Sequence, residues 1–174
     1  NVFYDPVFAL PAARAFGADA GAVLVRSKSS PRLIGLFPAR IERRYGVMAA
    51  LTGWTHPYAP FGVPLIDRDE AEAAIGAFLD HVEAEAKLPK LVMLPLIARD
   101  GAFAASLARV LARRGGTFDP FGTHARALLA PRNRESYLDH VTHKKLKELR
   151  RQRRRLEETG ALTRMTASGP AAAV

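Results

Sequence analysis

Two amphipathic helical patterns with a continuous apolar run between them place the strongest constraint on the fold of this chain. Apolar residues recur at helical spacing over residues 71–82 and again over residues 103–111. Residues 91–97 (LVMLPLI) lie between the two patterns and are apolar throughout. Such a run is typical of a strand that is buried on both faces, so we predict a central strand here.

Three further apolar runs precede this region. Residues 21–26 and 33–41 are separated by a turn cluster of serine, lysine and proline, which predicts a β-hairpin. Residues 45–54 predict a third strand. Pro38 has no N–H to donate to a neighbouring strand, and it therefore predicts an edge position or a bulge.

Capping signals predict where two helices begin. Asp5 predicts the N-cap of a helix over residues 6–16. The Asp67 carboxylate predicts a second start, with Glu70 three residues on as the acid of a capping box. Residues 55–64 contain three prolines and one glycine, and predict an ordered loop rather than a helix or strand.

The rest of the chain continues the alternation. We predict a strand within residues 117–129, a short helix over residues 133–141, a basic helix over residues 143–159 and a last strand over residues 162–166. Strands mixed with crossover helices indicate an α/β (α+β) fold, in which helices flank a mixed sheet.

The composition excludes several classes of protein. Hydrophobic residues make up 48% of the 174 residues and charged residues 25%, as in a soluble globular protein. The absence of cysteine excludes disulfides, thiolate metal sites and a cysteine nucleophile. No apolar run approaches the roughly 20 residues of a membrane span, and no signal-peptide pattern opens the chain, so we expect a cytoplasmic protein.

Positive charge is concentrated in residues 144–155, which include eight Lys and Arg residues. Residues 141–174 hold nine Lys and Arg against three Glu, so +6 of the net charge of +9 lies here. Leu146, Leu149 and Leu156 fall within about 80° of one another on a helix and form a narrow apolar stripe. Like charges one turn apart destabilise a helix, so we expect compensation from another group.

Three sources of compensation are open. The cations are solvated or paired within the protein, as charge runs usually are. Alternatively, Arg150 and Arg154 bind a phosphate of an anionic substrate or cofactor, because arginine suits bidentate phosphate recognition. The third partner is a nucleic acid, which is disfavoured because no aromatic residues are interleaved with the cations for base stacking.

The proline-rich loop and the residue before it supply a second group of candidates. Trp54, His56 and Tyr58 have side chains that can line a substrate pocket, with His56 or Tyr58 as proton acceptor for an amine nucleophile. The alternative, which we favour, is a packed loop whose aromatic rings seal the end of the sheet.

A metal site is the last candidate. Asp139, His140 and His143 have a spacing that can hold a metal ion. However, a helix break is expected at Thr142, and the neighbouring cations would repel the ion. We therefore predict no metal site.

Four segments resemble the GNAT superfamily of acyl-CoA-dependent acyltransferases, and within it the CelD-like (cellulose biosynthesis protein) group, which is related to the FemABX peptidyltransferases. They are residues 33–46 (LIGLFPARIERRYG), 54–69 (WTHPYAPFGVPLIDRD), 124–130 (HARALLA) and 136–162 (SYLDHVTHKKLKELRRQRRRLEETGAL). The last segment is the most specific, because members share a run of the form "yl…k.rkelrRq.rrLee.G" at that place.

The resemblance implies a GNAT-like fold with a mixed, mostly antiparallel sheet flanked by helices. It implies a first GNAT-like domain (residues 1–131), basic connecting helices (residues 132–160) and the start of a second GNAT domain (residues 161–174), with a reading frame that continues. It further implies acyl transfer from acetyl-CoA or another acyl-CoA to a small-molecule amine. A homo-oligomer is compatible with it.

The resemblance also implies where acyl-CoA binds. The pyrophosphate loop of GNAT proteins, a Q/R-x-x-G-x-G/A turn before a helix, is expected in the second domain. Residues 113–116 (RRGG) stand at the end of a predicted helix and do not match it. Acyl-CoA is therefore expected to be bound mainly outside these 174 residues, and no catalytic residue is carried over by motif.

Overall fold

The computed structural model describes residues 1–44, 46–126 and 141–163. The chain divides into two compact units, Asn1–Phe121 and Gly122–Val174. The sequence predicted the first boundary after residue 131. That the second unit contains the start of another GNAT domain stays a prediction.

The first unit is built on a five-stranded mixed sheet that is mostly antiparallel, as predicted. Across the sheet the order is β1, β2, β3, β5; β4 pairs with the first part of β2, and β5 runs parallel to β3. The strands are β1 (Gly21–Arg26), β2 (Leu33–Arg44), β3 (Met48–Gly53), β4 (Leu65–Ile66) and β5 (Val92–Met93).

Helices flank this sheet. Within the first unit, α2 packs on β1 and β2, and α3 packs on α2. A 3₁₀ turn (Val2–Tyr4) precedes α1, and α4 belongs to the second unit. The helices are α1 (Pro6–Phe16), α2 (Ala71–Ala84), α3 (Ala102–Arg113) and α4 (His143–Thr159).

The core lies between α2 and the sheet. The buried residues of α2 follow the helical period, and Phe78 among them stacks on Phe37 of β2 with ring centroids 4.3 Å apart and planes 8° apart. α3 adds Val110. The other buried members of this cluster are Val25, Ile34, Ala39, Leu51, Ala74, Ile75 and Val82.

Ion pairs connect the surfaces of α2 and α3. Glu72 accepts a hydrogen bond from Arg109 Nε at 2.5 Å and pairs with Arg113 at 2.7 Å, and these two hydrogen bonds lower the pKa of the Glu72 carboxyl. Arg114 pairs with Asp80 and hydrogen-bonds the Gly76 carbonyl. The arginines of the RRGG segment are thus engaged in helix packing.

Local sequence signals correctly predicted both ends of α1, β1 and α4. The bounds of α1 and β1 are confirmed, and β1 and β2 form the predicted hairpin. The Asp5 carboxylate accepts from the Val7 N–H at 3.0 Å, as an N-cap does. α4 covers the predicted residues, with Thr142 as its N-cap and Gly160 after its end.

The prediction of a central, fully buried strand over residues 91–97 is wrong. Of these seven residues, two form a strand, β5. This strand lies at the edge of the sheet and is half-buried. Pro95 has no N–H with which to continue a ladder, and Leu96 has a φ of 58°, in the left-handed region. These two residues turn the chain away from β3.

The prediction that Asp67 starts a helix is also wrong. α2 begins four residues later, at Ala71, and its N-cap Glu70 makes no capping hydrogen bond with its side chain. The Asp67 carboxylate instead accepts two backbone hydrogen bonds within a turn that precedes the helix. The Glu70 carboxylate accepts from Ser27 Oγ at 2.8 Å and pairs with Arg32 at 2.9 Å, which connects the start of α2 to the β1–β2 turn.

Pro38 lies in an interior strand, contrary to the predicted edge or bulge. The Trp54 N–H donates to the Pro38 carbonyl at 2.9 Å. In a regular antiparallel pair, residue 38 would return a hydrogen bond to the Trp54 carbonyl, which proline cannot do. The Tyr4 hydroxyl donates to that carbonyl in its place. Burial raises the pKa of Tyr4 to about 12, so the phenol keeps its proton and remains a donor.

Replacing Tyr4 by phenylalanine should lower the free energy of unfolding by about 1–3 kcal/mol, because the Trp54 carbonyl loses its donor. Trp54 is the only tryptophan of the chain, so its fluorescence during urea unfolding reports on the first unit. Adding Pro38→Ala to Tyr4→Phe restores an N–H opposite the carbonyl and should recover part of the loss. A double variant as unstable as Tyr4→Phe would contradict this assignment.

Several predicted elements lie at least partly outside the described residues. Residues 117–126 form no helix or strand, and the rest of the strand predicted within residues 117–129 is not described. Residues 162 and 163 form no strand. Residues 133–140 of the predicted short helix, which include Asp139 and His140, lie outside the described residues. Residues 164–166 of the predicted last strand also lie outside them. In the described parts of the chain, no helix has the length and apolar character needed to cross a membrane.

Candidate functional site

Trp54, His56 and Tyr58 lie where β3 and β5 end. The chain leaves its pairing with β2 at Trp54 and returns to it at Leu65, where β4 begins. The loop 54–64 therefore begins at the carboxyl end of β3, beside the carboxyl end of the parallel strand β5. Such adjacent ends are common places for ligand binding in sheets with parallel strands.

His56 lies in a cluster of aromatic rings. Its imidazole stacks on Phe16 with centroids 5.1 Å apart and planes 8° apart, and on Phe8 at 5.9 Å and 16°. Trp54 contacts it at 5.2 Å with a tilt of 38°. His56 is consequently only 8% exposed. The rings from α1 hold the imidazole at a fixed angle.

The two ring nitrogens of His56 have different surroundings. The Tyr58 N–H donates to Nδ1 at 3.3 Å, which requires an unprotonated Nδ1. Burial lowers the pKa of His56, so the neutral ring carries its proton on Nε2. Nε2 is buried and has no hydrogen-bond partner among the described residues. The site therefore contains a neutral N–H group that donates no hydrogen bond to a described residue.

The lowered pKa of His56 predicts a pH-dependent stability. A histidine whose pKa is lowered in the folded protein stabilises the fold fully above its ordinary pKa of 6.5. This stabilisation is lost as the pH falls below 6.5 toward the pKa in the folded protein, because the unfolded chain binds the proton more readily. We expect the free energy of unfolding to fall as the pH is lowered through 6.5, and to fall less in His56→Phe. Urea unfolding followed by Trp54 fluorescence measures both slopes, and equal slopes would contradict the assignment.

Trp54 and Tyr58 differ in exposure. Trp54 is 3% exposed, and its Nε1 donates to the Phe16 carbonyl at 3.4 Å. Tyr58 contacts the Phe16 ring at 5.7 Å but is 69% exposed. The structure thus brings the three predicted residues together. Two of them are packed, as the favoured alternative expected, while Tyr58 presents its side chain to solvent.

The space beneath the loop is small. A cavity of about 10 Å³ lies between the sheet, Phe78 and the loop, with Gly53, Gly62 and Leu94 in its wall. This volume suits one water molecule. The Gly62 N–H donates to the Leu96 carbonyl at 3.1 Å and holds the loop against residues 94–96. This cavity is far too small for acyl-CoA, and its lining carries no cation for a phosphate.

The predicted anion-binding residues lie on α4, in the second unit. No described residue of α4 is buried. Arg151 forms two hydrogen bonds with Glu148, which lower the pKa of that carboxyl to about 2, and Arg153 pairs with Glu157 at 2.9 Å. Arg155 also helps to lower the pKa of Glu148 by its charge, and the remaining cations of α4 form no ion pair with the described residues. They are Lys144, Lys145, Lys147, Arg150 and Arg154.

Sequence reasoning missed Tyr4, Phe8 and Phe16 as parts of the aromatic cluster. Tyr4 and Trp54 are fifty residues apart, and their contact leaves no local pattern. Phe8 and Phe16 are separated by eight residues, which places both on one side of α1. This spacing is the signal that could have identified an aromatic face.

Comparisons of the chain with protein-family models, with curated proteins and with solved structures found no significant match.

Proposed function

We propose that this chain is part of an acyl-CoA-dependent N-acyltransferase, and that loop 54–64 contributes to binding the amine acceptor. The proposal is supported by the resemblance to the CelD-like group. The observation that carries it is the neutral His56 imidazole, whose unpaired Nε2–H lies in the loop at the carboxyl ends of β3 and β5. A buried donor without a partner is costly to maintain, which points to a ligand acceptor.

The chemistry of acyl transfer gives these residues roles. Acyl-CoA supplies an activated thioester carbonyl when it is bound. A neutral N–H in a low-dielectric setting stabilises negative charge on a carbonyl oxygen, and His56 Nε2 is suited to that role. Because Nδ1 already accepts from the Tyr58 N–H, His56 is poorly placed to take a proton from the amine. The exposed Tyr58 hydroxyl remains the candidate for proton transfer, and would give its own proton to the leaving thiolate as it takes one from the amine.

The cavity beneath loop 54–64 is too small for acyl-CoA. Arg150 and Arg154 on α4 have the right chemistry for its phosphates, since a guanidinium donates two parallel hydrogen bonds to such a group. Phosphate binding is therefore proposed for α4 within the second unit.

The experiment measures release of free CoA by the protein expressed from its whole reading frame, with acetyl-CoA and a panel of amines. The 174 residues contain no cysteine, so they add no thiol background to a colorimetric thiol assay. We expect release that requires both substrates. Absence of release with every amine, together with absence of acetyl-CoA binding by calorimetry, would overturn the proposal.

Arginine variants test the phosphate assignment. Arg150→Gln with Arg154→Gln should raise the KM for acetyl-CoA about tenfold to a hundredfold, as expected for lost charge-assisted hydrogen bonds. The matched control is Arg14→Gln with Lys28→Gln, which removes the same charge from exposed sites of the first unit. Equal KM values in the two double variants would exclude phosphate binding by α4.

A second candidate, polyanion or nucleic-acid binding through α4, is favoured by the α4 cations that form no ion pair with the described residues. It predicts that the logarithm of the affinity for a DNA duplex falls with the logarithm of salt concentration, by about 0.9 per phosphate neutralised. Fluorescence anisotropy with labelled DNA and RNA measures this slope. Undetectable binding at low salt would eliminate the candidate.

A further inference from the structure

β1 forms one edge of the sheet. On its inner side, Gly21, Val23 and Val25 stand opposite Ala39, Phe37 and Gly35 of β2. The Pro38 carbonyl accepts from Trp54 and the Ile34 carbonyl accepts from Asp67, so even-numbered residues of β2 point their backbone groups away from β1. Odd-numbered residues of β2 therefore bond to β1.

This register leaves the backbone groups of Ala22 and Leu24 pointing outward from the edge. Neither residue has a backbone hydrogen bond to another described residue on that side. An edge with free N–H and C=O groups is a template for pairing with another strand. The edge of β1 thus offers two donors and two acceptors.

The part of β1 that holds Ala22 and Leu24 contains no edge-blocking device, because the register irregularity of the strand lies beyond it, between Val25 and Arg26. Residues 21–25 (GAVLV) contain no charged residue and no proline, and the charged residue of the strand, Arg26, stands at its end. Leu24 is 57% exposed, although it is large and apolar. Residues 21–25 are therefore an apolar edge with unpaired backbone groups in the described structure.

The edge is self-complementary. If two copies pair antiparallel about a two-fold axis at Val23, Ala22 of each copy faces Leu24 of the other, and four N–H···O=C bonds form. The exposed Leu24 then packs over a small residue. Beyond the register irregularity at Val25/Arg26, the same pairing brings the end of one strand, with Arg26, near Asp19 of the other copy, and Asp19 forms no ion pair with the described residues.

We propose that two copies of this chain associate through their β1 strands, which join their two sheets into one. The partner is a second copy, because hydrogen-bond pattern, side-chain size and charge all match in a single two-fold register. This association is independent of the acyl-transfer chemistry proposed for loop 54–64.

Sedimentation equilibrium over about a hundredfold range of concentration tests the association. We expect a reversible dimer. Leu24→Lys and, separately, Ala22→Pro should each weaken it at least about tenfold, since the first places a charge on the edge and the second removes an outward N–H. Leu10→Lys is the matched control, because Leu10 is 66% exposed on α1, and it should leave the dissociation constant unchanged.

Hydrogen exchange of the Ala22 and Leu24 amides gives a second readout. Their protection should rise with protein concentration in the wild type and remain low in Leu24→Lys. A chain that stays monomeric at the highest concentration overturns the proposal, as does a dimer that both edge variants leave intact. Concentration-independent protection of these amides in a monomer would show that another part of the protein covers the edge, and would also overturn it.

Discussion

Replacing Phe78 by alanine should destabilise the first unit by about 3–5 kcal/mol, the largest loss that we expect from a single substitution. Phe78 is 3% exposed and stacks on Phe37 across the interface between α2 and the sheet. The variant loses buried apolar surface and leaves a cavity, because the neighbouring strand cannot collapse into the space.

Urea unfolding followed by Trp54 fluorescence measures this loss. The matched control is Phe121→Ala, which removes the same ring from a position that is 67% exposed. That change should shift the free energy of unfolding by no more than about 0.5 kcal/mol. Similar losses in the two variants would mean that α2 does not cover the sheet as described.

Gly62→Ala should destabilise the first unit by about 3 kcal/mol, at the upper end of the usual cost of overpacking. A Cβ at this position would lie well inside van der Waals contact with the Pro95 carbonyl oxygen, and 3.2 Å from Thr55 Cγ2. The chain would have to move away from residues 94–96, which would also break the Gly62–Leu96 hydrogen bond.

Gly76→Ala makes the same chemical change where it should have the opposite effect. Gly76 lies inside α2, and no heavy atom lies within 4 Å of its Cβ position. Alanine should stabilise the helix there by up to about 1 kcal/mol, because glycine loses more backbone entropy on folding. A Gly62→Ala variant as stable as the wild type would show that the loop is not held against residues 94–96.

The sequence predicted the elements whose ends depend on neighbouring residues. α1 and α4 begin at Asp5 and Thr142, whose side chains accept from backbone N–H groups two or three residues on. Residues 91–97 were wrongly predicted because an apolar pattern does not indicate the left-handed backbone that Leu96 adopts. Pro38 was wrongly assigned because its compensating donor, Tyr4, lies far away in the chain.

In the candidate site too, the sequence predicted what depends on local residues and missed what depends on distant ones. Residue type and the proline-rich context were enough to identify Trp54, His56 and Tyr58. Their different exposures, and the orientation of the His56 nitrogens, depend on the rings that α1 supplies. The neutral form of His56 with its proton on Nε2 could therefore be inferred only from the structure.

The turnover number for acyl transfer in His56→Gln and Tyr58→Phe tests the central claim most directly. In the protein expressed from its whole reading frame, we expect a loss of about 10²–10³ for His56→Gln, as for removal of an oxyanion donor. Tyr58→Phe removes only an exposed hydroxyl, and should lower the turnover number by at least about tenfold with an unchanged melting temperature. Turnover equal to that of the wild type in both variants would contradict the account.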